Sequence, residues 1–162
     1  MILISSCLLG NPARFDGHSK PNPLLVKYKN CGHFLPVCPE CAGKLPIPRP
    51  PAEIQHGNGA LVWQGKCRVM DSSGLDVTKN FCQGALVCAK LAKKHTVTAV
   101  IFKERSPSCG VHTVYDGSFS KKTLPGQGVT AACFSSLGYR LYSEEDLTEE
   151  LLLNLLAADT DK

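Results

Sequence analysis

Short apolar runs, separated by polar connections rich in proline and glycine, set the pattern of this chain. Met1-Ile2-Leu3-Ile4 gives way to Ser5-Ser6-Cys7, and Phe34-Leu35-Pro36-Val37 gives way to Cys38-Pro39-Glu40. The β-branched run 95–102, ending Ala99-Val100-Ile101-Phe102, leads through Ser106-Pro107-Ser108 to Cys109. Runs of this length and composition predict buried strands. Helical spacing is sustained once, where Phe81, Ala85, Leu86, Cys88, Ala89 and Ala92 predict a helix from Asp76-Val77-Thr78 to about residue 94. Shorter helices are predicted at 22–28, with Pro23 in the first turn, and at 129–137, closed by Gly138. A last strand is predicted at Tyr139-Arg140-Leu141-Tyr142, then a helix over 147–156 behind Ser143-Glu144-Glu145-Asp146.

Strands and helices alternate through the second half, which predicts a single α/β domain. Its mostly parallel sheet would be flanked by helices in a Rossmann-like arrangement with right-handed crossovers. Two stretches interrupt that order. The segment 45–54 holds four prolines and predicts an extended loop carrying Arg49 and Glu53. Ala60-Leu61-Val62-Trp63 and Lys66-Cys67-Arg68-Val69, around Gln64-Gly65, predict a small hairpin beside the sheet. At 162 residues the chain suits one domain, expected over 1–158 with 159–162 as a disordered tail.

In a parallel sheet the carboxyl ends of all strands open on one edge, where such folds place their ligands. Cys7, Cys38 and Cys109 each follow a predicted strand, so they are expected to converge there. Three thiolates at one point make a metal or cluster site with a coordination position open.

Composition narrows the setting. Nine cysteines exceed what packing needs in a chain this size. Met1 leads directly into a strand-like run without a secretory leader, and no apolar stretch approaches the roughly 18 residues of a membrane span. A cytoplasmic location with reduced thiols is therefore expected, and metal binding is favoured over a disulfide framework. The net charge of +4 is mild and scattered, which suits a small polar ligand and argues against a nucleic-acid surface or a membrane.

Cys38-Pro39-Glu40-Cys41 admits three readings: a zinc site completed by Cys31 and His33, a dithiol redox pair, or one metal ligand beside an incidental thiol. Cys67, Cys82, Cys88, Cys133 and Cys31 read as packing residues. Glu40, next but one to Cys38, is placed to act as a general base toward water, and Glu53 follows the same logic from further away. Ser106-Pro107-Ser108-Cys109-Gly110 predicts a tight turn with exposed amides beside a thiolate. Gly126-Gln127-Gly128-Val129-Thr130 has the form of a ligand-cradling turn at a helix start. His18, His56, His95 and His112 read as surface residues.

Taken together the motifs resemble one family. Cys7-Leu8-Leu9-Gly10, Arg14-Phe15-Asp16-Gly17, Val37-Cys38-Pro39-Glu40 and Pro48-Arg49-Pro50-Pro51-Ala52-Glu53-Ile54 follow the order seen in thiouracil desulfurases. Gly74-x-Asp76-Val77-Thr78, Gly84-Ala85, Ser106-Pro107-Ser108-Cys109-Gly110, Tyr115-Asp116-Gly117-Ser118-Phe119 and Gly126-x-Gly128-Val129-Thr130 continue the similarity over nearly the whole chain. The resemblance implies a [4Fe–4S] cluster held by Cys7, Cys38 and Cys109, with one iron open to the sulfur of a small thiopyrimidine. It implies Glu40, Ser106 and Ser108 as the catalytic set, releasing hydrosulfide without net redox change. Arg14, Asp16, Arg49, Glu53, Gly126 and Gly128 lie in the matching motifs as expected substrate contacts. The chain departs from the family pattern at Ala13, where a cysteine is common, and at Cys41, which adds a thiol able to compete as a ligand.

Overall fold

The computed structural model describes residues 1–161. The chain runs β1 (Ile2–Ser5), a 3-10 turn (Ser6–Leu9), α1 (Pro23–Lys27), β2 (Phe34–Val37), α2 (Pro39–Ala42) and β3 (Ala52–Ile54). It continues with α3 (Gly59–Trp63), β4 (Val69–Asp71), α4 (Thr78–Lys94), β5 (Ala99–Phe102) and β6 (Thr113–Tyr115). β7 (Thr123–Pro125), α5 (Val129–Ser136), β8 (Leu141–Ser143) and α6 (Glu149–Thr160) complete it.

The main sheet has the order β2-β1-β5-β8, and every pairing in it is parallel. Ile2 stands opposite Phe34 on one side and Ala99 on the other, so the three strands end nearly level. Both faces are covered, which is why these strands read as continuous apolar runs. Leu3, Val100 and Phe102 face a layer built from Cys88 and Ala92 of α4 and Phe134 of α5. Ile2, Ile4 and Ile101 face Leu25 of α1 and Leu152 and Leu156 of α6. Each such fully buried side chain contributes about 1.5–3 kcal/mol. A third cluster joins Ile54, Val69, Phe81, Val114 and Val129, and fastens two small antiparallel hairpins, β3–β4 and β6–β7, beside the sheet.

The α/β architecture and the single long helix are as expected, but several local elements differ. Residues 60–63 are helical in α3, because Asn58 Oδ1 accepts from Leu61 N at 3.0 Å and Trp63 Nε1 donates to Val129 O at 2.8 Å. The hairpin partner of β4 is instead β3, the last three residues of the proline-rich segment. The β6–β7 hairpin was not anticipated. Its strands have three residues each, too few for alternation to show. β5 begins only at Ala99, since Thr96 takes a left-handed φ of 51° after α4 ends at Lys94. Ser143 N donates to Asp146 Oδ2 at 2.8 Å, forming a turn where a cap was expected, and Thr148 Oγ1 caps α6 through Leu151 N at 3.1 Å. α6 runs on to Thr160, past the expected boundary at 158, and Asp159 accepts from His33 Nδ1 at 2.6 Å and Thr98 Oγ1 at 3.1 Å. Lys162 of the expected tail lies outside the described residues. Among the described residues no helix is long and apolar enough to cross a membrane.

Candidate active site

Cys7, Cys38 and Cys109 line one cavity of about 500 Å³ at the carboxyl edge of the sheet. Cys7 lies in the 3-10 turn after β1, which Gly10 closes with a φ of 94° and a bond from its N to Cys7 O. Cys38 is the N-cap of α2, a four-residue helix starting at Pro39 that the sequence did not announce. Cys109 sits in the loop after β5, where Ser106 Oγ accepts from Cys109 N at 3.0 Å and Ser108 N at 3.2 Å.

The thiols' surroundings fit a bound metal group. Burial raises the pKa of all three, Cys38 to about 12 and Cys109 well above its ordinary value, while Lys103 and Arg14 pull Cys7 back down. Such thiols release their protons to a metal rather than to water. No three His, Cys, Asp or Glu side chains among the described residues stand together closely enough to hold a single ion. Three thiols lining one cavity are the donor chemistry that iron–sulfur groups take.

Glu40 joins the same cavity from α2. Its Oε1 accepts from Arg49 Nε at 3.1 Å, and its Oε2 makes a long contact of 3.4 Å with Ser108 Oγ. Arg49 is buried and further donates to Pro46 O at 3.1 Å and Ala13 O at 3.0 Å. The proline-rich segment thus serves to carry one guanidinium behind one carboxylate. Cys41 does not line the cavity. Its sulfur lies 3.9 Å from Arg49 Nη1, and its side chain hydrogen-bonds Cys38.

The zinc reading fails. Cys31 and His33 precede β2 whereas Cys38 and Cys41 follow it, so a strand of four residues, roughly 13 Å long, separates the pairs. Cys31 is also exposed, against its expected packing role, whereas Cys88 and Cys133 are buried and Cys67 and Cys82 partly so.

The other expected site residues divide. Arg14, Glu53 and Ser106 line the cavity. Asp16 is exposed, stands outside it, and closes its own turn by accepting from His18 N at 3.0 Å. Gly126 and Gly128 cradle protein instead of ligand. A Cβ on Gly128 would meet Ser108 backbone atoms at 2.5 Å and 2.6 Å, and one on Gly126 would meet Asn58 Cβ at 2.9 Å. The amides of Val129 and Thr130 at the start of α5 donate to Pro107 O and Ser108 O, each at 2.8 Å. That turn is the foundation of the Cys109 loop.

Sequence reasoning missed Glu104, Lys103, Tyr115 and Phe119, all in the cavity wall. Glu104 is only 2% exposed, and its Oε1 accepts from Val111 N, His112 N and Thr113 N at 2.9, 2.9 and 3.0 Å. An acid two residues past a buried strand was the available signal.

A parallel sheet covered on both faces, with thiols and a carboxylate sharing a cavity at its carboxyl edge, defines an α/β enzyme whose ligands meet beyond the strand ends. The family model for 2-thiouracil desulfurase matches residues 2–146, and the chain belongs to that family. It is 41% identical over 151 residues to the protein YbbK of Bacillus subtilis (strain 168), a match covering 93% of this chain and all of YbbK. Among solved structures it is similar to the [4Fe-4S]-dependent thiouracil desulfidase TudS, with a TM-score of 0.82 and 39% identity over 95% of this chain and 97% of that one.

Proposed function

We propose that the protein hydrolyses the carbon–sulfur bond of small thiolated pyrimidines in the cytoplasm, thiouracils or thiouridine-type compounds, giving the oxo-pyrimidine and hydrosulfide. The observation that carries this reading is the meeting of Cys7, Cys38, Cys109 and Glu40 in one cavity. Cys7, Cys38 and Cys109 would hold a [4Fe–4S] cluster by three thiolates. When bound, such a cluster supplies a Lewis acid toward the thiocarbonyl sulfur.

The chain's own residues do the rest. Arg49 engages Glu40 Oε1, which leaves Oε2 to take a proton from a water positioned beside the ring carbon. The water oxygen adds to that carbon and the carbon–sulfur bond breaks. The proton on Glu40 Oε2 then passes directly to the departing sulfur. Ser108, buried outside the cavity wall, contacts Oε2 from behind through its Oγ at 3.4 Å and orients the carboxylate, a positioning role. One water is consumed, hydrosulfide leaves with one of its protons, the added hydroxyl releases the other to solvent as the carbonyl forms, and no electron changes hands. Ser106 keeps the Cys109 loop in place by accepting its amides, a positioning role. Val37, Pro39, Pro51 and Pro107 give the cavity apolar walls that limit competing water.

Anaerobic reconstitution should give about four irons per chain and hydrosulfide release from 2- or 4-thiouracil. Full activity in each of Cys7→Ala, Cys38→Ala and Cys109→Ala would overturn the assignment.

A further inference from the structure

The turn between β6 and β7, residues 116–122, places Phe119 in the cavity wall in a backbone conformation that bulky residues avoid. Its φ is 54°, in the left-handed region. Its ring is 40% exposed, belongs to none of the three core clusters, and pairs with no other aromatic ring among the described residues. The ring thus stands outside the packed core, yet the backbone turn that carries it is held in place by hydrogen bonds.

Glu53 does the fixing. Its carboxylate, on a residue 9% exposed, accepts from Gly117 N at 3.0 Å and Phe119 N at 3.2 Å. Gly117 allows the close approach this needs, with a φ of 94° and room for no Cβ, which would meet Ile54 O and Gln55 Cα at 2.8 Å each. The sequence reading cast Glu53 as a substrate contact. In the structure its hydrogen bonds hold a backbone turn instead.

We propose that Phe119 is the stacking platform for the flat heterocycle of the substrate, and that Glu53 is its positioning residue. The inference rests on the thiopyrimidine reading of the site and adds what selects the ring. Aromatic side chains hold bases by their faces whatever polar edge the base presents, and a partly exposed ring in a cavity wall, carried on a hydrogen-bonded turn, offers such a face. Phe15 lines the same cavity with the Arg14 guanidinium 5.6 Å from its centroid, so a second planar surface stands nearby. The ligand class selected is the planar heteroaromatic thiocarbonyl. An aliphatic thioamide presents no ring face and gains nothing from Phe119.

The test uses the reconstituted full chain, comparing wild type with Phe119→Leu, which keeps apolar bulk but has no π face, and Phe119→Trp, which keeps the face. KM for 2-thiouracil and the calorimetric Kd of uracil, the product, are both read. Phe119→Leu should raise each about tenfold, kcat should stay within about threefold, and Phe119→Trp should restore both constants. Constants for Phe119→Leu within about twofold of wild type, or a fall in kcat with KM unchanged, would overturn the stacking role. A wild-type protein that releases no hydrosulfide would overturn the functional reading alone, and the uracil titrations then decide stacking by themselves.

Discussion

Arg49 Nε and Glu40 Oε1 meet at 3.1 Å with side chains only 4% and 16% exposed, so the carboxylate at the cavity is matched by a guanidinium behind it. The pair joins two segments that no secondary structure connects. Arg49→Met leaves Glu40 facing the cavity without its cation, a change that costs about 3–5 kcal/mol when one partner of a buried pair is removed. Arg49→Lys keeps the charge but cannot reach Glu40, Pro46 O and Ala13 O together. Steady-state hydrosulfide release should fall about 10- to 100-fold in Arg49→Lys, with the thermal midpoint lowered less than in Arg49→Met.

Gly128→Ala should dislodge the Cys109 loop. The added Cβ meets Ser108 and Pro107 backbone atoms at 2.5–2.7 Å, and backbone cannot swing aside as a side chain can. A destabilisation of about 1–3 kcal/mol is expected in urea unfolding. Iron bound per chain after reconstitution should fall in parallel. Unchanged iron content would show that the loop does not depend on this contact.

Glu104 carries a pH signature. Burial pushes its carboxyl up, but the amides of Thr113, His112, Arg105 and Val111 outweigh that and hold it below its ordinary value of 4.5. A depressed native pKa contributes stability that is full above 4.5 and is lost as pH falls through the native value. Glu104→Gln should therefore cost about 2 kcal/mol at pH 7, from weakened charge-assisted bonds to buried amides. The gap between wild type and variant in urea midpoints should narrow as pH is lowered beneath 4.5. A gap that stays constant with pH would show the carboxylate charge to be irrelevant.

Glu53→Gln should loosen the turn that bears Phe119. KM for 2-thiouracil is expected to rise while kcat holds, in the same direction as Phe119→Leu. The two changes should not add when combined, because both act on one contact with the ring. Additive effects in the double-mutant cycle would separate Glu53 from Phe119.

The sheet and the three thiols were legible because each rests on a local pattern repeated in space: an apolar run, then a cysteine, at level strand ends. α3 was not, since an apolar run of four fits strand and helix alike, and only Asn58 and the Trp63 bond to Val129 O decide it. Gly126 and Gly128 read as a ligand cradle, but what they admit is protein, Asn58 at Gly126 and the Ser108 and Pro107 backbone at Gly128, which no local reading reveals. Asp16 stands in a family-like motif yet closes only its own turn. The roles of Phe119 and Glu104 were not legible, for a shared reason, although Phe119 closes a family motif and Glu104 follows a buried strand. Their roles come from tertiary hydrogen bonds to turns, Glu53 reaching across 66 positions to Phe119 N.

The place of β1 in the centre, between β2 and β5, has a consequence for how the protein acquires its site. β1 must pair with β5 by closing Ile2 onto Ala99, a loop of nearly a hundred residues, before Cys109 can face Cys7. Long closures of this kind are late and slow events in folding. The three donors are therefore strangers in the growing chain and become neighbours only when the sheet is finished. A metal group arriving earlier would find no complete set of ligands. On the proposed reading assembly follows folding, and the cavity that would admit substrate is also the door through which a cluster would be loaded.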